Sequence, residues 1–123
     1  VFRFLLLLAL LPAACALNPR GEIEHTVFIW LQRPGHAADR TALVRATKEL
    51  QKSTGLIRSV RHGRPVPSNR PVVDDTYDLA LFMRFADRQA LAAFENHPAH
   101  RKAKKEILQP LARQVLIYDT ALE

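Results

Sequence analysis

The chain has a single cysteine, Cys15, in 123 residues. It cannot close a disulfide within itself or assemble a thiolate metal site, so the fold must rest on packing. Its four glycines are scattered, which leaves no glycine-rich phosphate loop, and it has neither a CxxC pair nor an RNP-like aromatic run. Long apolar runs are missing as well, except at the start, where Phe4 to Leu11 (FLLLLALL) follows Arg3 and precedes small residues. That pattern is an export signal, too short to span a bilayer as a permanent helix. Val1 stands where an initiator Met would be expected, through an unusual start codon or a sequence that begins late, and the signal reading holds with either.

Two cleavage readings compete. Ala14, Cys15 and Ala16 fit the small-x-small rule of ordinary signal peptidase, while Ala13, Ala14 and Cys15 resemble a lipobox whose cysteine becomes the lipidated first residue. Pro12 departs from the Leu usual in a lipobox. The expected division is a signal over residues 1–16, a tether over 17–21 and one domain over 22–123. The expected location is the periplasm or cell envelope for the lipoprotein, or the outside for the secreted form, with membrane attachment only through a lipid on Cys15.

The net charge is +6, and without Arg3 the 17 basic residues that remain face 12 acidic ones, leaving +5. With an export signal and no nucleic-acid motif, the charge points to anionic lipid or polysaccharide and away from nucleic acid.

The stretch EIEHTVFIWLQ, Glu22 to Gln32, is rich in β-branched and aromatic residues and reads as a strand ended by Pro34 and Gly35. Asp39 can cap a helix in which Leu43, Ala46 or Thr47, and Leu50 recur at helical spacing before Gly55 stops it. Leu56 to His62 and Asp78 to Phe85 read as two further strands. Between them GRPVPSNRPVVDDTY forms a long surface connection that is free to cover something. Asp87 caps a second helix, a third runs from Ala99 to about Gln109, and Arg113 to Asp119 is the last strand. The order βαββαβ predicts an α+β, ferredoxin-like plait: a four-stranded antiparallel sheet with its helices on one face.

The strands are apolar on both faces. Val27, Ile29 and Leu31 oppose Phe28 and Trp30; Leu79, Leu81, Met83 and Phe85 oppose Ala80 and Phe82; Val115 and Ile117 oppose Leu116 and Tyr118. Helices cover one face only. About five large side chains left in water forgo roughly 1.5 to 3 kcal/mol each, comparable with the roughly 4 to 15 kcal/mol cost of association. A homodimer closed sheet to sheet into an α/β barrel is therefore expected.

On a regular third helix His100, Ala103 and Ile107 share an inward face, while Arg101, Lys102, Lys104 and Lys105 form a solvated one. His97, just before Pro98, is expected to cap the end of the second helix. The break between His97 and His100, with no carboxylate spaced to join them, argues against a metal. His25 is in phase with Val27 and Ile29 and also faces an apolar layer, and Asp119 either orients a histidine or simply ends the last strand. His36 and His62, beside glycines, are expected in solvent.

HTVFIWLQ in the first strand, DLALFMRF in the third, the AFENHPAHRK junction and VLIYD at the end together resemble the stress-responsive α/β-barrel (Dabb) family, from Glu22 to about Asp119. The resemblance implies a dimeric ferredoxin-like barrel. One plant branch consists of cofactor-free polyketide cyclases with an apolar pocket in each subunit. Its first-strand histidine falls on His25 and its catalytic base on His100, while the tyrosine that assists the base is Phe94 here and a further pocket histidine is Leu79. Two matches out of four keep the pocket and leave the base without its assisting hydroxyl, since phenylalanine cannot donate a hydrogen bond to an enolate oxygen.

Three readings follow, none with a cofactor. The first is an exported dimeric protein that binds a small apolar molecule in a pocket bordered by His25 and His100, with Phe94, Leu79, Trp30, Phe82, Phe85 and Tyr118 as candidate walls. The second is a cyclase, isomerase or lyase with His100 as general base. The third is a structural dimer of the envelope.

Overall fold

The computed structural model describes residues 20–123; the expected signal segment, Cys15 and most of the expected tether lie outside them. Strand β1 runs from Ile23 to Leu31, helix α1 from Ala37 to Thr54, and strands β2 and β3 cover Ile57–Gly63 and Leu79–Phe85. Helix α2 is Arg88–Glu95. The next helical stretch has three parts: α3 at Pro98–Ala103, a π-helical turn at Lys104–Leu108, and α4 at Gln109–Leu111. Strand β4 closes the chain at Ala112–Ala121. The four strands form one antiparallel sheet in the order β2-β3-β1-β4, the ferredoxin-like arrangement. Among the described residues no helix is long and apolar enough to cross a membrane.

Alternation along the strands sets the layers. Ile23, Val27, Ile29 and Leu31 of β1 and Leu79, Leu81, Met83 and Phe85 of β3 pack against Leu43 and Leu50 of α1 and Leu91 and Phe94 of α2. Leu43, Thr47 and Leu50 are buried because they share one side of α1, three or four residues apart. Gly55 ends α1 at φ 66°, a left-handed geometry that costs glycine little.

Two caps differ from expectation. Helix α1 begins two residues before Asp39: His36 is extended, and its Nδ1 accepts from the Asp39 backbone N–H at 3.3 Å. The Asp39 carboxylate turns back to the Arg33 guanidinium, whose Nε donates to it at 2.9 Å. His97 caps the start of α3, accepting from the Ala99 N–H at 3.1 Å, while Asn96 ends α2. The restriction that Pro98 imposes on His97 favours extended backbone, which is what an N-cap needs. Asp87 caps α2 as expected, accepting from the Ala90 N–H at 2.8 Å.

The opposite sheet face is divided. One end carries ion pairs, with Glu24 accepting from Arg61 and Arg84 and Glu22 facing Arg58. The other end carries Phe28, Trp30, Ala80, Phe82, Leu116 and Tyr118. The connection between β2 and β3 folds back over part of it: the Trp30 indole N–H donates to Thr76 Oγ1 at 2.8 Å, and the Tyr77 ring sits 5.0 Å from Phe28. Asp78 pins the end of that connection by accepting from the backbone N–H groups of Leu31 and Gly35. Trp30, under that connection, and Ala80 are buried, whereas Leu116 and Tyr118 stay exposed. Strand β4 is an edge of the sheet, and among the described residues no helix covers it: from Arg113 to Ala121 every residue is exposed.

Candidate functional site

His25 sits on β1 directly opposite Asp119 of β4. Its Nδ1–H donates to Asp119 Oδ1 at 2.5 Å, and its ring meets Phe85 edge-on at 5.9 Å. The imidazole is buried, and its carboxylate partner is half exposed on the edge strand.

His100 is positioned by the cap one turn earlier, since His97 fixes the first turn of α3 and Pro98 its entry. The ring lies 4.3 Å from that of Phe94, tilted by 35°. Its Nδ1 is 3.3 Å from the Glu95 carbonyl oxygen. A carbonyl can only accept, so this contact requires Nδ1–H and leaves Nε2 with its lone pair in the neutral ring. Partial burial holds the His100 pKa below its ordinary value, the nearby Lys104 and His25 charges act the same way, and the Glu95 carbonyl and carboxylate oppose them.

Beside His100 lies a hollow of about 90 Å³ between the sheet and the helices. Its floor is Val27, Ile29, Leu81 and Met83, with Leu43, Thr47 and Leu50 of α1 on one side. Phe94, His100, Ala103, Lys104, Ile107 and Leu108 form the other side, and Val115 and Ile117 of the uncovered β4 complete the rim. The floor is buried and the rim is exposed. Thr47 donates its hydroxyl to the Leu43 carbonyl at 2.9 Å, and the other polar residues bordering the hollow are His100 and the exposed Lys104. Among the described residues no three His, Cys, Asp or Glu side chains gather in a way that could hold a metal ion.

Of the residues singled out from sequence, Phe94 and His100 line this hollow. Phe85 is fully buried behind Phe94, ring to ring at 5.1 Å. His25 is off the wall, connected to His100 through the ring series His25, Phe85, Phe94, His100. Leu79 is buried in the core and borders a different, shallow hollow near Arg40 and His62. Trp30, Phe82 and Tyr118 are on the opposite sheet face, because odd and even strand positions project to opposite sides. His36 is a cap, half exposed, and His62 is exposed on β2.

Lys104, expected on the solvated face, is exposed and also borders the hollow, and Leu108 was not among the residues singled out. Both follow His100 at four- and eight-residue intervals, a signal present in the sequence, but Lys104 sits in a run of bases that reads as a solvated face. The π-helical turn at Lys104–Leu108 has no signature in residue type, although such turns often occur at functional sites.

The profile of the Stress responsive A/B Barrel Domain matches residues 23–122. No curated protein matches the chain. Among solved structures, a Dabb family protein with a ferredoxin-like fold from Mesorhizobium loti is 22% identical, with a TM-score of 0.68 over 85% of this chain and 99% of that one. A dimeric ferredoxin-like protein of unknown function from Jannaschia is 20% identical, with a TM-score of 0.66 over 83% and 100% of the two chains. The hydroxynitrile lyase from Passiflora edulis is 16% identical, with a TM-score of 0.68 over 86% and 96%. At these identities the likeness is one of fold.

Proposed function

The chain belongs to the Stress responsive A/B Barrel Domain family, and from that premise we propose that it is an exported homodimer that binds one small, largely apolar molecule per subunit in the hollow beside His100. The observation that carries this reading is a buried apolar floor opening on a rim whose polar groups are His100 and Lys104. Apolar hollows with few polar groups are the usual form of small-molecule sites. The volume is modest: about 90 Å³ against the ~150 Å³ of a cavity that admits benzene.

Dimerisation would cover the apolar end of the open sheet face, and the Jannaschia protein is described as dimeric. Export rests on Arg3, the apolar run and the site around Cys15. Intact-mass analysis tests it: a chain starting at acylated Cys15 supports the lipoprotein, one starting at free Leu17 the secreted form, and a retained Arg3 removes both.

Native mass spectrometry of the purified protein tests the binding reading. The expected result is a small co-purifying or added apolar compound whose occupancy falls in a Leu43→Phe variant, which fills the hollow. Equal occupancy in that variant would remove the reading.

The His100 tautomer favours a second reading, in which Nε2 takes a proton from a carbon acid bound in the hollow. The relative from Passiflora edulis is a lyase. Phe94 offers no donor for the resulting enolate, so turnover is expected to be weak. Phe94→Tyr supplies a hydroxyl beside His100, and exchange of ligand protons for deuterium, followed by NMR, should rise in that variant and vanish in His100→Ala. Exchange unaffected by His100→Ala would end the enzyme reading.

A further inference from the structure

The rim carries a cation that the apolar reading leaves unused. Lys104 lies one turn after His100 on the helical wall, borders the hollow, and forms no ion pair among the described residues. The neighbouring bases Arg101, Lys102 and Lys105 are absent from the wall. The floor beneath Lys104 holds no acidic group, and Asp119, on the same side of β4, is already bound to His25.

We propose that the hollow selects short aliphatic carboxylates, with the alkyl chain on the Val27, Ile29 and Leu81 floor and the carboxylate paired with the Lys104 ammonium at the rim. This inference rests on the reading of the hollow as a ligand site and names the class of ligand. Amphipathic placement favours it, because a lysine spans an apolar edge with its methylenes and keeps its charge in water. A carboxylate there stays partly hydrated, so neither ion pays a large desolvation cost. His100 sets the direction of entry. The lone pair on its Nε2 repels a carboxylate oxygen, so the anion sits on the Lys104 side and the alkyl chain passes the ring. A neutral ligand of the same length lacks the ion pair, and a cationic one meets Lys104 as a like charge.

The test is a two-dimensional NMR titration of the purified protein at low ionic strength with pentanoate and with 1-pentanol, followed through amide signals of Val27, Ile107 and Val115. Pentanoate is expected to bind about threefold more tightly than the alcohol, the size of a partly exposed ion pair. That preference should disappear in Lys104→Met and persist in Lys105→Met, which alters a base off the wall. Equal affinity for acid and alcohol, or a preference that survives Lys104→Met, overturns the assignment of Lys104 while leaving the apolar site in place. If neither compound perturbs these signals, the binding reading fails and this inference fails with it.

Discussion

The two faces of the sheet are built from the same strands and meet opposite fates. On the helix side Ile29, Leu31, Leu79 and Phe85 are almost wholly buried, and the protein's own helices supply the cover. On the other side Trp30 is buried with the connection between β2 and β3 folded back onto it. Leu116 and Tyr118 remain exposed. The difference teaches that apolar alternation specifies that a face needs cover and leaves the origin of the cover open. The helix face holds monomer stability and the hollow, whereas the far face holds what a second copy would seal.

The sharpest test of this contrast compares two phenylalanines of β3. Phe85→Ala opens a cavity under α2 and should cost about 3 to 5 kcal/mol of unfolding free energy, read from urea denaturation. Phe82→Ala, on the far face, should cost distinctly less at concentrations where the protein is monomeric. Equal losses would mean that the two faces are equally part of the monomer core.

Next in size is the effect on assembly. Phe28→Glu places a charge between Tyr77 and Tyr118 on the far face and should weaken self-association by about 30-fold or more, as expected for a hot spot worth at least 2 kcal/mol. Sedimentation should find a folded monomer. A well-folded wild-type monomer at micromolar concentration would remove the sheet-to-sheet dimer.

A smaller effect separates cover by the chain from cover by a partner. Thr76→Val removes the acceptor of the Trp30 indole N–H and should cost about 1 to 3 kcal/mol if that donor is left unpaired. Tryptophan fluorescence should shift to the red as the connection loosens. An unchanged spectrum would mean that Trp30 is covered by something other than residues 64–78.

The smallest effect belongs to His100. Its folded pKa is depressed, chiefly by burial, so at low pH the unfolded chain binds the proton more readily than the folded one. The stabilisation is present above the unfolded value of about 6.5 and is lost as pH falls through the lower folded value. His100→Asn should flatten this part of the stability profile between neutral and mildly acidic pH. A profile unchanged by the substitution would place the proton uptake on another group.

Much of this organisation can be read from residue pattern. The βαββαβ order, the cap at Asp87 and the stop at Gly55 follow from local chemistry, because propensity, turn residues and side-chain period act over a few positions. His100 was legible as inward-facing from its phase with Ala103 and Ile107. The caps at His36 and His97 were harder, since each depends on which nearby donor an imidazole meets and where competing partners such as Arg33 draw Asp39. Lys104 was hidden because charge outweighs phase in any reading of a basic run.

By itself the sequence determined the class of fold, the apolar residues on both sides of the sheet and the side of its helix on which His100 lies, since all three depend on periodicity and sterics within a segment. Only the tertiary structure decided what meets across distance. The register of β1 with β4 brings Asp119 onto His25, 94 residues apart. The return of the β2–β3 connection hides Trp30. The position of β4 at the sheet edge leaves Val115 and Ile117 exposed on the rim of the hollow among the described residues. These arrangements arise from contacts between segments whose separation no local propensity encodes, and for that reason the candidate site was visible in the sequence only as isolated residues.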